Sequence, residues 1–288
     1  MTKEILLPSL WDDAKAAAMD EPGKLLYRSN LLGSDLRITN FGGGNTSAKV
    51  AARDPLSGDE VQVLWVKGSG GDIGSMKLDG FATLYMDRLM QLQAQYRSLD
   101  QEDAMVEALG HCIWNLNPRA PSIDTWLHGF VPKAHVDHVH SDAVIAIAAS
   151  ADQVRLTEEI FGGALGYLPW QRPGIDLGIK LGRMAEENPK LKGVVLGQHG
   201  LFTWADTAKD CYLLTLEMIN KAALWLEATE KRPAFGGEKV PAMPAEGGPG
   251  DVGVAEEAEI RDLADHGSVV MPVGVGLANR SHREHLHV

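Results

Sequence analysis

Three histidines fall close together at His135, His138 and His140, at the head of the stretch HVDHVHSDAVIAIAAS. In a β-strand alternate side chains share a face, so His138 and His140 point the same way, about 7 Å apart along the backbone. Two imidazoles placed like this suit one metal ion, because imidazole is a favoured ligand of zinc and its neighbours. A third ligand has to come from elsewhere, and His199, in the apolar segment GVVLGQHGLF, is the candidate. The bare pattern leaves a second reading open, in which these are ordinary polar strand residues.

Two glycine turns suggest what else such a site could bind. In LRITNFGGGNTSAKV, Leu36 and Ile38 alternate with Arg37 and Thr39 as in a strand, and Gly42, Gly43 and Gly44 then force a turn before Asn45, Thr46 and Ser47. Glycines let backbone N–H groups stand exposed, and beside Asn and Ser side chains they make an anion pocket. A plain hairpin turn is the alternative. The strand EVQVLWVK, with Val61, Val63 and Trp65 on one face, runs straight into GSGGDIGSM. Its glycines fit neither the dinucleotide fingerprint nor a Walker A loop. Two strand-to-Gly/Ser turns read either as one phosphate cradle or as two unrelated surface loops.

A third segment, PRAPSIDTWLHGF, places Ser122, Asp124 and His128 just upstream of the histidine strand, after Pro118 and Pro121 have ended a helix. Asp124 is either a helix N-cap or, beside a metal, a general acid/base. His128 reads as a packing or hydrogen-bonding residue, not a ligand.

The elements that must position these groups follow from periodicity. Helices are expected over 11–32 with a break at Pro22-Gly23, over 79–97 with Phe81, Leu84, Tyr85, Leu89, Leu92 and Tyr96 as the apolar stripe, and over 102–116. In the third, Met105, Leu109, Cys112, Ile113 and Leu116 face inward, with His111 structural among them. Ser141 or Asp142 caps a short helix whose N-terminus favours negative charge near the histidines. Further helices are expected over 174–187 and 207–230, the latter opened by a Thr207/Asp210 capping box. GVVLGQHGLFTW reads as a strand carrying His199. From 235 the sequence turns Gly- and Pro-rich and reads as linker or disorder, and the terminal histidines of NRSHREHLHV are not counted as ligands.

Composition narrows the function classes. A net charge of −12 argues against a broad surface for nucleic acid or anionic lipid, so any phosphate has to be held locally. Two cysteines, Cys112 and Cys211, stand far apart in no CxxC pattern, which argues for a reducing compartment. No apolar run reaches membrane-spanning length and no signal-peptide pattern opens the chain, so a cytoplasmic protein that does not enter membranes is expected.

In order along the chain, ITNFGGGNTSAK, LWVKGSGGDIG, PSIDTWLHG, HVDHVHSDA and VVLGQHGLFTW together resemble the class II aldolase/adducin superfamily. Within it, the chain is most similar to the aldolase portion of the bifunctional rhamnulose-1-phosphate aldolase/alcohol dehydrogenases. The resemblance implies a three-layer α/β/α fold with a central, mainly antiparallel sheet, over an aldolase-like domain at 1–234 followed by an atypical tail at 235–288. It implies Zn2+ on His138, His140 and His199, and a substrate phosphate held by Gly44, Asn45, Ser47, Ser69, Gly70 and Ser122. It places the catalytic carboxylate at Asp124, where better-known members carry glutamate, one methylene longer. The implied reaction is lyase chemistry of rhamnose metabolism: a ketose 1-phosphate, L-rhamnulose 1-phosphate, cleaved to dihydroxyacetone phosphate and L-lactaldehyde through a metal-stabilised enediolate. Fourfold homotetramers with sites at subunit interfaces are the implied assembly. Pentulose-phosphate 4-epimerases, a methylthioribulose-phosphate dehydratase and non-catalytic adducin-like domains are the superfamily's alternatives. No dehydrogenase activity is expected, because no Gly-x-Gly-x-x-Gly unit follows.

Overall fold

A computed structural model describes residues 6–40, 42–116 and 119–229. The expectations for the Gly/Pro-rich stretch from 235 and for Pro118 lie outside the described residues. Seven strands form one sheet: β1 (Asn45–Arg53), β2 (Glu60–Lys67), β3 (Phe81–Tyr85), β4 (His135–Val139), β5 (Leu165–Leu168), β6 (Gly193–Leu196) and β7 (Gly200–Ala205). Their order across the sheet is β3-β2-β1-β4-β7-β6-β5, and every pairing is antiparallel except β5 with β6. The helices are α1 (Asp13–Ala17), α2 (Glu21–Gly33), α3 (Met86–Gln95), α4 (Glu102–Ala108), α5 (Thr125–Phe130), α6 (Asp142–Ala148), α7 (Gln153–Phe161), α8 (Ile175–Glu187) and α9 (Ala208–Thr229). The fold is the mixed three-layer α/β/α arrangement with a mainly antiparallel sheet.

Strand alternation divides the core in two. Val136, Val194, Phe202 and Trp204 point to one face and pack on α3, α4, α5 and α8 through Leu89, Met105, Trp126, Leu127 and Leu181. Val139, Val195 and Leu201 point to the other and meet α6, α7 and α9 through Val144, Ile147, Leu156, Tyr212 and Met218. Burial of these apolar faces, each side chain contributing about 1.5–3 kcal/mol, makes the layers. Among the described residues no helix is long and apolar enough to cross a membrane.

A polar knot sits inside the second layer. Arg28 of α2 and Asp137 of β4 are both fully buried and pair at 2.9 Å. Arg28 also donates to the Ser47 carbonyl at 2.7 Å and to Nδ1 of His135 at 2.8 Å. Asp137 accepts from Thr215 at 3.0 Å and from the Cys211 thiol at 3.3 Å, so both charges find partners, as buried charges must. The knot bolts α2 and α9 to the strands β1 and β4 beneath the histidines.

Several sequence expectations change. Residues 36–39 form a turn, not a strand, although Ile38 and Thr39 are buried. The strand instead follows the glycines, as β1. Residues 81–85 are strand, not the start of a helix, and Phe81 to Tyr85 pair in register with Lys67 to Val63. The helix over 102–116 stops being α-helical at Ala108 and closes in a 3₁₀ turn to Cys112, which leaves His111 and Leu116 exposed. GVVLGQHGLFTW is a hairpin of two strands, and His199 stands in its turn. Pro22-Gly23 lies within the first turn of α2, and the break falls just before it. The Thr207/Asp210 capping box is present, with the Asp210 amide donating to the Thr207 hydroxyl at 3.1 Å.

Candidate metal centre and the groups around it

The central strand β4 carries His138, its end carries His140, and the β6–β7 turn brings the third. Nε2 of His138 lies 2.9 Å from Nε2 of His140 and 3.2 Å from Nε2 of His199. The three ligand atoms all fall within 4.8 Å of one another. Two nitrogens bound to one zinc at 2.0–2.1 Å with a tetrahedral angle sit about 3.3 Å apart, so this spacing fits one ion. His135 points to the opposite face of β4, where it bonds Arg28, and is not a member of the cluster.

The surroundings fix which nitrogen each ring presents. Nδ1 of His138 donates to the Leu201 carbonyl at 3.1 Å, which leaves Nε2 bare and facing the other two rings. Phe202, its cross-strand neighbour, stacks on the same ring with centroids 4.2 Å apart and planes inclined by 13°. Burial holds His138 well below its ordinary pKa, and burial likewise lowers His140 and His199, against the opposing pull of the Asp124 carboxylate on both. Neutral imidazoles are the metal-binding form. His199 is presented by a tight turn in which its N–H donates to the Leu196 carbonyl at 3.1 Å and Gln198 adopts φ 55°.

Asp124 stands at the N-cap position of α5, but its side chain accepts nothing from that helix. One oxygen, Oδ2, accepts from Asn45 Nδ2 at 2.8 Å. The other, Oδ1, is buried without a hydrogen-bond partner. An orphaned carboxylate oxygen whose charge reaches His140 and His199 is unexplained as a cap, and it fits a role toward a metal-bound substrate.

The three glycine and serine segments converge here. Gly44 has φ +71°, and a Cβ there would lie 2.7 Å from the His138 carbonyl oxygen, so the first turn is pressed onto the histidine strand. Asn45 follows, opposite His138 in the β1–β4 register. Ser122 accepts from Asn45 at 3.3 Å and from the Asp124 amide at 3.2 Å, which leaves its own O–H free to donate. Ser69 and Gly70 are exposed in the second turn, tied to the third segment by the Ser69 N–H donating to the Ala120 carbonyl at 2.9 Å. Ser47 is buried, and its hydroxyl is engaged by His128 at 2.8 Å, behind the turn.

Lys67, which the sequence reading passed over, and His128, which it read as a packing or hydrogen-bonding residue, belong to this neighbourhood. Lys67 ends β2 directly before the second turn, is 4% exposed, and feels both Asp124 and Asp72, while burial lowers its pKa. Its place at a strand end next to a Gly/Ser turn was the available signal. His128 is fully buried between Asn45 and Ser47, and desolvation takes its pKa down to about 3. A surface cleft bounded by Lys49, Met86, Phe130 and Glu186 contains none of the histidine or turn residues, so its size does not mark the chemistry.

Comparison with known proteins identifies the family. Residues 24–226 match the family model described as Class II Aldolase and Adducin N-terminal domain. The "Uncharacterized oxidoreductase YuxG" of Bacillus subtilis (strain 168) is 36% identical over 241 residues, 83% of this chain and 34% of that protein, so the chain spans about a third of the relative's length. The solved N-terminal class II aldolase domain of a conserved protein from Thermoplasma acidophilum is 30% identical, covers 76% of this chain and 99% of its own, and superposes with a TM-score of 0.69. A sugar-phosphate aldolase from Thermotoga maritima, 13% identical over 73% of this chain and 96% of its own, shares the fold at a TM-score of 0.52. With the family model spanning most of the described residues and the histidine cluster at its centre, the chain belongs to the class II aldolase and adducin N-terminal domain family.

Proposed function

We propose that the protein is a zinc-dependent aldolase that cleaves a ketose 1-phosphate, L-rhamnulose 1-phosphate, to dihydroxyacetone phosphate and L-lactaldehyde. The observation that carries the reading is the pairing of three converging imidazole nitrogens with a buried carboxylate oxygen that has no partner of its own. His138, His140 and His199 would hold the ion as neutral ligands. When bound, zinc supplies a Lewis acid for the ketone and neighbouring hydroxyl oxygens, stabilising the enediolate without a lysine Schiff base.

The chain's own groups do the rest. Exposed Ser69 and Gly70, the O–H of Ser122 and the turn at Gly44 and Asn45 offer donors to the phosphate, with Ser47 bracing that turn from behind. The buried Lys67 ammonium adds a positive charge that an otherwise acidic chain has to provide locally. As the C4 hydroxyl passes its proton to the Asp124 carboxylate, the C3–C4 bond breaks and its electron pair passes into the enediolate. Asp124 then returns a proton to C3, which yields dihydroxyacetone phosphate. A fourfold tetramer is part of the same proposal and is read by sedimentation.

Purified protein loaded with zinc should release dihydroxyacetone phosphate from L-rhamnulose 1-phosphate, and removing zinc with a chelator should abolish the release. Absence of this product from a panel of ketose 1-phosphates would refute the aldolase reading. Epimerised or dehydrated product from a pentulose phosphate or methylthioribulose phosphate would replace it with another reaction at the same centre. Zinc below about half an equivalent per chain would favour a non-catalytic domain.

A further inference from the structure

We infer that His128 is a positioning residue that locks the Asn45 carboxamide in one orientation, and through it holds Asp124 and Ser122 in place together. The inference rests on the reading of Asp124 as the proton-transfer group. Its argument is a chain of hydrogen bonds in which each link forces the next. A carboxylate only accepts, so the edge of Asn45 that lies 2.8 Å from Asp124 Oδ2 must be its NH2 group. The same NH2 lies 3.3 Å from the Ser122 hydroxyl oxygen. The opposite edge of Asn45 is therefore its carbonyl oxygen, which sits 2.7 Å from Nε2 of His128 and has to be met by an N–H. A neutral imidazole has a single N–H. Nδ1 of His128 is then bare and accepts from the Ser47 hydroxyl at 2.8 Å.

His128 is the partner of the carbonyl edge of that carboxamide, as Asp124 and Ser122 are of its NH2 edge. Asn45 is 4% exposed, so water competes little for either edge, and an amide turned over would present its oxygen to the Asp124 carboxylate. The His128 ring is itself clamped: it is fully buried, and Phe202 lies beside it with centroids 5.3 Å apart. Phe202 also stacks on His138, so one aromatic ring touches both a candidate metal ligand and the positioning histidine. The acid/base and one phosphate-facing hydroxyl thus hang from the same amide, and that amide hangs from His128.

The test compares two substitutions and one spectrum. His128→Phe fills the volume without a donor, and His128→Gln keeps an amide N–H near the place of Nε2. The phenylalanine variant is expected to keep the zinc content of the wild type and lose about 10- to 100-fold in kcat, the scale on which small misplacement of reacting groups acts. The glutamine variant should recover to within about threefold. A phenylalanine variant with full zinc and unchanged kcat would overturn the inference, and so would equal losses in the two variants. Nitrogen-15 NMR of histidine-labelled wild-type protein is expected to show His128 as the neutral tautomer protonated on Nε2, and a ring protonated on Nδ1 would overturn the inference whatever the variants do. That spectrum needs no substrate, so if wild-type protein cleaves no sugar phosphate, the aldolase reading fails while the hydrogen-bond chain is still decided.

Discussion

Replacing Asp124 by asparagine separates proton transfer from architecture. The new carboxamide can keep an oxygen where Oδ2 accepts from Asn45 at 2.8 Å, and place its NH2 where Oδ1 now has no partner. No hydrogen bond is lost, and the attraction to Lys67 goes together with the desolvation cost of a half-buried carboxylate, so the melting temperature should change little. The chemistry has no such substitute, because an amide neither takes nor gives a proton at neutral pH. General acid–base groups contribute about 10²- to 10⁴-fold, so kcat should fall by that factor, equivalent to about 2.7–5.5 kcal/mol of transition-state stabilisation. The assay is dihydroxyacetone phosphate release under saturating substrate, alongside elemental zinc and a thermal melt on the same preparation. Turnover within about threefold of the wild type, with zinc retained, would remove Asp124 from the mechanism. A collapse in zinc content would show that the carboxylate is a ligand instead.

Three further outcomes follow from other parts of the molecule. Arg28→Met leaves Asp137 buried with its cation gone, a change that costs about 3–5 kcal/mol and should lower the melting temperature by roughly 10 °C; a shift under about 2 °C would mean that the knot is not what joins α2 to β4. Gly44→Ala drives a Cβ to 2.7 Å from the His138 carbonyl at a positive φ, and kcat/KM should fall at least about tenfold with the circular dichroism spectrum unchanged; an unaltered kcat/KM would detach this turn from the site. His135, held by burial and the neighbouring Arg28 at a pKa of about 3, stays neutral in the folded chain while its unfolded counterpart takes up a proton below about 6.5. Its stabilising contribution is therefore full above that value and lost as pH falls, by about 2 kcal/mol between pH 7 and 5. Denaturant titrations should show the loss in the wild type and a correspondingly flatter pH profile in His135→Gln; parallel profiles would refute the assignment.

How far the sequence revealed the molecule depended on whether a signal was local. His138 and His140 were legible because strand alternation puts them on one face, and they meet although β4 ends at Val139, one residue before His140. His199 was a candidate by chemistry, but nothing local showed that it sits in a turn, since GVVLGQHGLFTW reads as one continuous apolar run until strand pairing divides it. The segment from Phe81 misled for a related reason. Its apolar positions satisfy helical spacing, yet its first five residues pair along β2, a long-range choice that periodicity cannot register. β1 was missed because NTSAKVAAR carries small and polar residues where bulk alternation is sought. Lys67 escaped because a lysine at a strand end reads as solvated, whereas here it is 4% exposed.

The position of β4 in the sheet also governs how an ion would come and go. It is the middle strand, with three on each side, so fraying from either edge reaches His138 last. The β6–β7 turn that carries His199 is a different case, a short reversal with Gln198 in a left-handed conformation that a non-glycine residue holds at a cost of about 1–2 kcal/mol. His138 and His140, on β4 and just past its end, are thus tied to the middle of the sheet, while His199 depends on the turn. Metal exchange should follow the opening rate of that turn, not the unfolding rate of the domain, and replacing Gln198 by glycine, which relaxes the closed turn, should slow it.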